Sequence, residues 1–92
     1  MSAPLFRLGR AVATRTALAV LSELNLGAHP FFFRHCHGDY GETCEEDKET
    51  NTAALACGDR IVSKYVLSED YSIFVITEHD RSATTLMLTD EY

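Results

Sequence analysis

From Arg60 to Tyr92 the chain alternates in a way that suits a short antiparallel meander. Ile61, Ser63, Tyr65 and Leu67 fall on one face of a strand over 60–67, and Val62, Lys64 and Val66 on the other. A polar turn at Ser68-Glu69-Asp70 leads into Ser72–Thr77, which is apolar on both faces and therefore reads as a central strand. Ala83–Leu88 completes the meander. Between the last two strands lies the turn Glu78-His79-Asp80-Arg81-Ser82, which concentrates two acids, a base, a hydroxyl and an imidazole.

Upstream of the meander the pattern changes period. Leu5–Ala13 alternates well enough for a strand, with Arg10 breaking the alternation. Thr14 suits the N-cap of a helix running to about Asn25, with Ala17, Leu18, Leu21 and Leu24 as its apolar stripe and Gly27 as its stop. Pro30 fits the first position of a second helix, Phe31 to His37, ended by Gly38. Thr43 and Glu46 have capping-box spacing for a third helix, Cys44 to Cys57, ended by Gly58. The expected order is β-α-α-α-β-β-β. It describes one α+β domain over residues 1–92, with three helices packed on one face of an antiparallel sheet.

Composition narrows the function classes. Fourteen acids against eight bases give a net charge of −6, which disfavours direct contact with a nucleic-acid backbone and suits a basic protein surface. Three cysteines without framework spacing fit a reduced chain, and no stretch approaches the roughly 20 apolar residues of a membrane span. The run Ala17-Leu18-Ala19-Val20-Leu21 after Arg15 is too short for a signal peptide. A soluble protein of the cytoplasm is expected.

Four groups of residues carry candidate chemistry. On the third helix Cys44, Asp47, Lys48, Asn51 and Leu55 share a stripe. Asp47 and Asn51 are thus expected to face the body or a cleft, either bonding backbone at the sheet edge or, with Arg81, forming a polar site. His35, Cys36, His37 and Cys44 have the donor chemistry for zinc but not paired ligand spacing, so neither a metal nor any other cofactor is expected. Arg34, His35, Tyr65, Glu78, Arg81 and Thr84 are a conceivable acid–base set for a small metal-independent ribonuclease, with Glu78 and His35 as base and acid. The simpler expectation for 78–82 is a tight hairpin with an Asp80 cap and an Arg81 salt bridge. The fourth group is acidic: Asp39, Glu42, Glu45, Glu46, Asp47 and Glu49 lie together with only Lys48 among them, beside Tyr40 and the Phe31-Phe32-Phe33 run. Acids near exposed aromatics make a contact surface for a basic, nucleic-acid-binding partner, and Asp39, Tyr40, Glu42, Glu45, Glu46 and Glu49 are its expected members.

Taken together, Phe6-Arg7-Leu8-Gly9, Arg34-His35-x-x-Gly38-Asp39-Tyr40-Gly41, Cys44-Glu45-Glu46-Asp47, Ser63-x-Tyr65, Val75-Ile76-Thr77-Glu78-x-Asp80-Arg81-Ser82-x-Thr84-Thr85 and Asp90-Glu91-Tyr92 resemble a family of small proteins. Its members are carried on plasmids, phages and integrated elements, and some bear the label of a type I restriction modification subunit. The family pattern usually has Trp where Tyr40 stands, and Trp or Phe where Phe74 stands. That label implies a methyltransferase, for which 92 residues leave no room, and neither a Gly-rich cofactor loop nor an Asn-Pro-Pro-aromatic motif is present. The resemblance implies a mobile-element context without catalytic residues. It makes the leading expectation a non-enzymatic inhibitor of a host CRISPR or restriction complex, of anti-CRISPR or anti-restriction character. A toxin-like ribonuclease and a plasmid maintenance protein that binds another protein are the alternatives.

Overall fold

A computed structural model describes residues 3–92. The chain runs β1 (Arg10–Ala13), α1 (Arg15–Glu23), α2 (His29–Cys36), α3 (Glu45–Cys57), β2 (Ile61–Val66), β3 (Ser72–Thr77) and β4 (Ala83–Leu88), and closes with a 3-10 turn at Thr89–Glu91. Class and order are those expected from the sequence. The four strands lie in the order β1-β4-β3-β2. β2, β3 and β4 form the antiparallel meander, whereas β1 runs parallel to β4, so the sheet is mixed. α1 follows β1 directly and carries the chain back across the sheet.

Alternation sorts the sheet into two faces. Tyr65, Ile73, Val75, Leu86 and Leu88 pack with Ala17, Val20 and Leu21 of α1 and with Phe31 and Phe32 of α2 in one apolar core. Each Val, Leu, Ile or Phe side chain among them contributes about 1.5–3 kcal/mol when it leaves water. On the other face Phe74 meets the Tyr92 ring edge-on, with centroids 5.4 Å apart. No helix among the described residues is long and apolar enough to cross a membrane.

Helix ends show where local chemistry decided. Thr14 caps α1 by accepting the Ala17 amide at 3.2 Å. The chain leaves that helix through Asn25, which adopts φ 58°, rather than at Gly27. Asn is the non-glycine residue best suited to that left-handed position. Pro30 stands in the first turn of α2 as expected. At α3 the capping box does not form. Cys44 is the N-cap without a side-chain bond, because the Thr43 hydroxyl instead donates to the Tyr40 carbonyl at 2.5 Å. Gly58, with φ 78°, ends α3 where the sequence placed the stop.

Candidate functional site

His35 lies on the buried side of α2, with no exposed surface, and joins four segments through hydroxyl groups. Its Nδ1 is 2.5 Å from Ser63 Oγ, and its Nε2 is 2.9 Å from Thr77 Oγ1. Thr77 Oγ1 is 2.7 Å from Thr84 Oγ1, which in turn donates to the Leu8 carbonyl at 2.7 Å. The carbonyl can only accept, so the direction of the whole chain follows. Thr84 spends its proton on Leu8, Thr77 donates to Thr84, and His35 Nε2–H donates to Thr77. Nδ1 is left as the acceptor for the Ser63 hydroxyl. The neutral Nε2–H tautomer satisfies every group. Burial, with a smaller push from Arg81, lowers the imidazole to about 4. His35 therefore bolts α2 to β2, β3, β4 and the N-terminal segment.

The turn between β3 and β4 is equally structural. Arg81 sits at φ 60°, and its guanidinium donates to four main-chain carbonyls: Asp59 at 2.7 Å, Ala54 at 3.0 Å, Glu78 at 3.1 Å and His79 at 3.3 Å. The Ala54 bond reaches the last turn of α3, whose Ala54 carbonyl also accepts the Gly58 amide at 2.9 Å. Arg81 thus ties α3 to the sheet, but through main chain and not through Asp47 or Asn51. The expected Arg81 salt bridge is replaced by these bonds, whereas Asp80 does cap, accepting the Ser82 amide at 3.0 Å. The Ser82 side chain and, after it, that amide bond hold the Asp80 carboxyl below its ordinary range. Of the conceivable ribonuclease set, His35, Tyr65 and Thr84 are buried and Arg81 is committed to carbonyls, so these side chains do not converge on a surface.

The third helix lies along the outer edge of β2 and seals it. Asn51, only 3% exposed, donates to the Val62 carbonyl at 2.8 Å and accepts the Val62 amide at 3.1 Å, as a neighbouring strand would. One step further, the Lys64 amide donates to the Tyr40 carbonyl at 3.2 Å, and the Glu42 amide donates to the Lys64 carbonyl at 2.7 Å. Glu42 Oε2 then takes the Val66 amide at 3.1 Å. This close approach requires Gly41, which has φ 70° and whose added Cβ would run into the Lys64 carbonyl. Of the two readings for Asn51, the sheet-edge one is therefore what the geometry displays. Asp47, on the same stripe, is exposed.

The acidic residues divide by the work they already do. Asp39 pairs with Arg34 at 2.7 Å, which holds its carboxyl below the usual range, and Arg34 also lies over the Tyr65 ring. Glu42 is occupied by the Val66 amide. Glu45 is 3.6 Å from Lys48, a pair worth little at such exposure. Glu46, Asp47 and Glu49 are exposed and their carboxylates have no partner among the described residues. Tyr40 does not belong with them. It is 6% exposed, packed with Ala54 and Ile61, and its hydroxyl has no hydrogen-bond partner among the described residues. Two left-handed glycines, Gly38 and Gly41, turn the chain so that this ring points inward. Phe31 and Phe32 are core residues too, which leaves Phe33 as the exposed aromatic of its run.

Beside the acidic flank runs an open cleft of about 980 Å³ between α3 and the free face of the sheet. Asp47, Thr50 and Asn51 line the helix side, while Val62, Lys64 and Phe74 line the sheet side, with Asp59, Arg60 and His79 at one end. Sequence reasoning placed none of these sheet residues at a site. Their signal was the outward register of β2, opposite its buried Ile61, Ser63 and Tyr65. Among the described residues no group of three His, Cys, Asp or Glu side chains is arranged to hold a metal. Cys36 is buried, and Cys44 and Cys57 stand at opposite ends of α3. No family model, curated protein or solved structure matches this chain.

Proposed function

We propose that this protein is a non-enzymatic inhibitor of a host nucleic-acid-targeting defence complex, CRISPR or restriction, and that it acts by laying the acidic flank of α3 against a basic surface. One observation carries the reading. Glu45, Glu46, Asp47 and Glu49 are exposed on one rigid helix, and only Lys48 offsets them locally. They stand near the N-terminus of α3, where the helix dipole stabilises them, so the fold tolerates the concentration of charge. A basic groove built for phosphates is attracted to such a surface over about a Debye length, roughly 8 Å at physiological salt. Complementary charge speeds the encounter, and the adjoining cleft supplies a recess for side chains of the partner. The sealed edge of β2 keeps α3 fixed, so little conformational order has to be supplied on binding. The mobile-element setting rests on the resemblance described above. Expressed in cells that carry a CRISPR or restriction system, the wild-type protein should raise the plating efficiency of a targeted phage. Unchanged plating across strains carrying each class of system would reject the reading.

A further inference from the structure

The two edges of the sheet are treated in opposite ways. Along β2, the outward main-chain groups of Val62 and Lys64 and the Val66 amide are all bonded, by Asn51, Tyr40 and Glu42. Along β1 nothing comparable is present among the described residues. Arg10 and Thr14 donate inward to the Ser82 and Leu86 carbonyls, which in a parallel pair turns the amides and carbonyls of Ala11 and Ala13 away from the sheet. Arg10, Ala11 and Val12 are exposed, and no proline or bulge interrupts the strand. We propose that this open edge is a second binding surface, which takes an acidic extended segment of a partner protein as a fifth strand.

Charge selects that occupant. Arg7, Arg10 and Arg15 bracket the edge, three of the eight cations in a chain of net charge −6, and Glu23 is the only acid before Asp39. Glu91 reaches the same end of the sheet, but its carboxylate is engaged by the Thr14 hydroxyl at 2.7 Å and the Leu88 amide at 2.9 Å. A second copy of this chain pairing through β1 would bring two sets of these arginines together, and like charges facing each other across a ladder destabilise it. An acidic strand meets opposite charge at both ends and a half-exposed Val12 between them, with main-chain bonds supplying the register. This surface lies on the edge opposite α3, and its failure or success is independent of the proposed function.

The test uses amide hydrogen exchange and NMR shifts on the whole protein, with two capped hexapeptides as probes, one alternating Glu with Val and one alternating Lys with Val. At millimolar concentration the Glu-Val peptide should slow exchange of the Ala11 and Ala13 amides by roughly tenfold, equivalent to about 1.4 kcal/mol. Shift changes should be confined to β1 and its flanks, and the Lys-Val peptide should leave these amides alone. Ala11→Pro removes an outward donor without touching the bonds to β4, so it should keep the wild-type melting curve and lose the effect. Should that variant unfold, Arg10→Glu at the exposed end of the strand takes its place and should abolish the preference for the acidic peptide. Unchanged Ala11 and Ala13 amides, or equal responses to both peptides, would overturn the proposal. Protection that rises with protein concentration in the absence of peptide would overturn it in favour of a second copy.

Discussion

Acidification should weaken this fold through His35 before it does so through any carboxylate. In the native state the imidazole is held neutral to about pH 4, whereas in the unfolded chain it takes a proton at its ordinary value of 6.5. Between those values the unfolded state binds the extra proton. Stability is therefore fully present above about pH 6.5 and falls as the pH drops towards 4. Two and a half pKa units at about 1.4 kcal/mol each amount to roughly 3–4 kcal/mol, a large share of what a 92-residue domain has. Asp39 and Asp80 shift the other way, downward, so their contributions are lost only as the pH falls through the carboxylate range. Urea unfolding followed by circular dichroism from pH 7 to 4.5 measures the slope directly. His35→Gln is the control: it keeps a neutral donor towards Thr77 but cannot titrate, so it should be less stable at pH 7 and flatter with pH. Equal slopes for the two proteins would refute the buried-bolt reading. So would an imidazole resonance of His35 that titrates near 6.5.

Further substitutions around Asn51, Gly41 and Arg81 probe the same construction. Asn51→Leu should cost about 1–3 kcal/mol by stranding both main-chain groups of Val62, whereas Asp47→Leu, Glu45→Ala and Glu49→Ala at exposed positions should each stay within about 0.5 kcal/mol in denaturant titrations. Gly41→Ala should cost more than about 2 kcal/mol, because it combines a left-handed φ of 70° with a clash against main chain. Gly58→Ala, at φ 78° with open space around it, should cost only about 1 kcal/mol. Arg81→Met should lower the melting temperature and speed hydrogen exchange in the last turn of α3, since it releases the Ala54 carbonyl while preserving side-chain bulk.

The strands of the meander were legible because β2 alternates, β3 is a short apolar run and the turns between them are polar. Ser72–Thr77 and Ala83–Leu88 match the expected limits. The helices were legible from Thr14, Pro30 and Gly58, whose chemistry acts within a few residues. What escaped the sequence depends on contacts distant along the chain. The parallel direction of β1 is set by its register with β4, more than seventy residues away. Tyr40 looks like an exposed aromatic beside acids, yet Gly38 and Gly41 turn it into the body. The Thr43–Glu46 box was outcompeted by the Tyr40 carbonyl, whose position the same turn fixes. His35 and Arg81 carry functional-looking chemistry, and both are consumed by internal bonds that no spacing rule reveals. The acidic stretch was visible at once. The division between Asp39 and Glu42, which hold the fold, and Glu46, Asp47 and Glu49, which do not, needed the structure.

That division determines how the proposed contact surface should be tested. Reversing Glu42 would also release the Val66 amide, so the informative set is Glu45→Lys, Glu46→Lys, Asp47→Lys and Glu49→Lys together. The measurement is competition for nucleic acid bound to purified CRISPR and restriction complexes, by electrophoretic shift, with wild type beside the reversed protein and circular dichroism to show that both are folded. The wild type should displace the nucleic acid from one of these complexes, more weakly as salt rises, and the reversed protein should not. Equal displacement by a folded, charge-reversed protein, or displacement from none of the complexes by the wild type, would contradict the account.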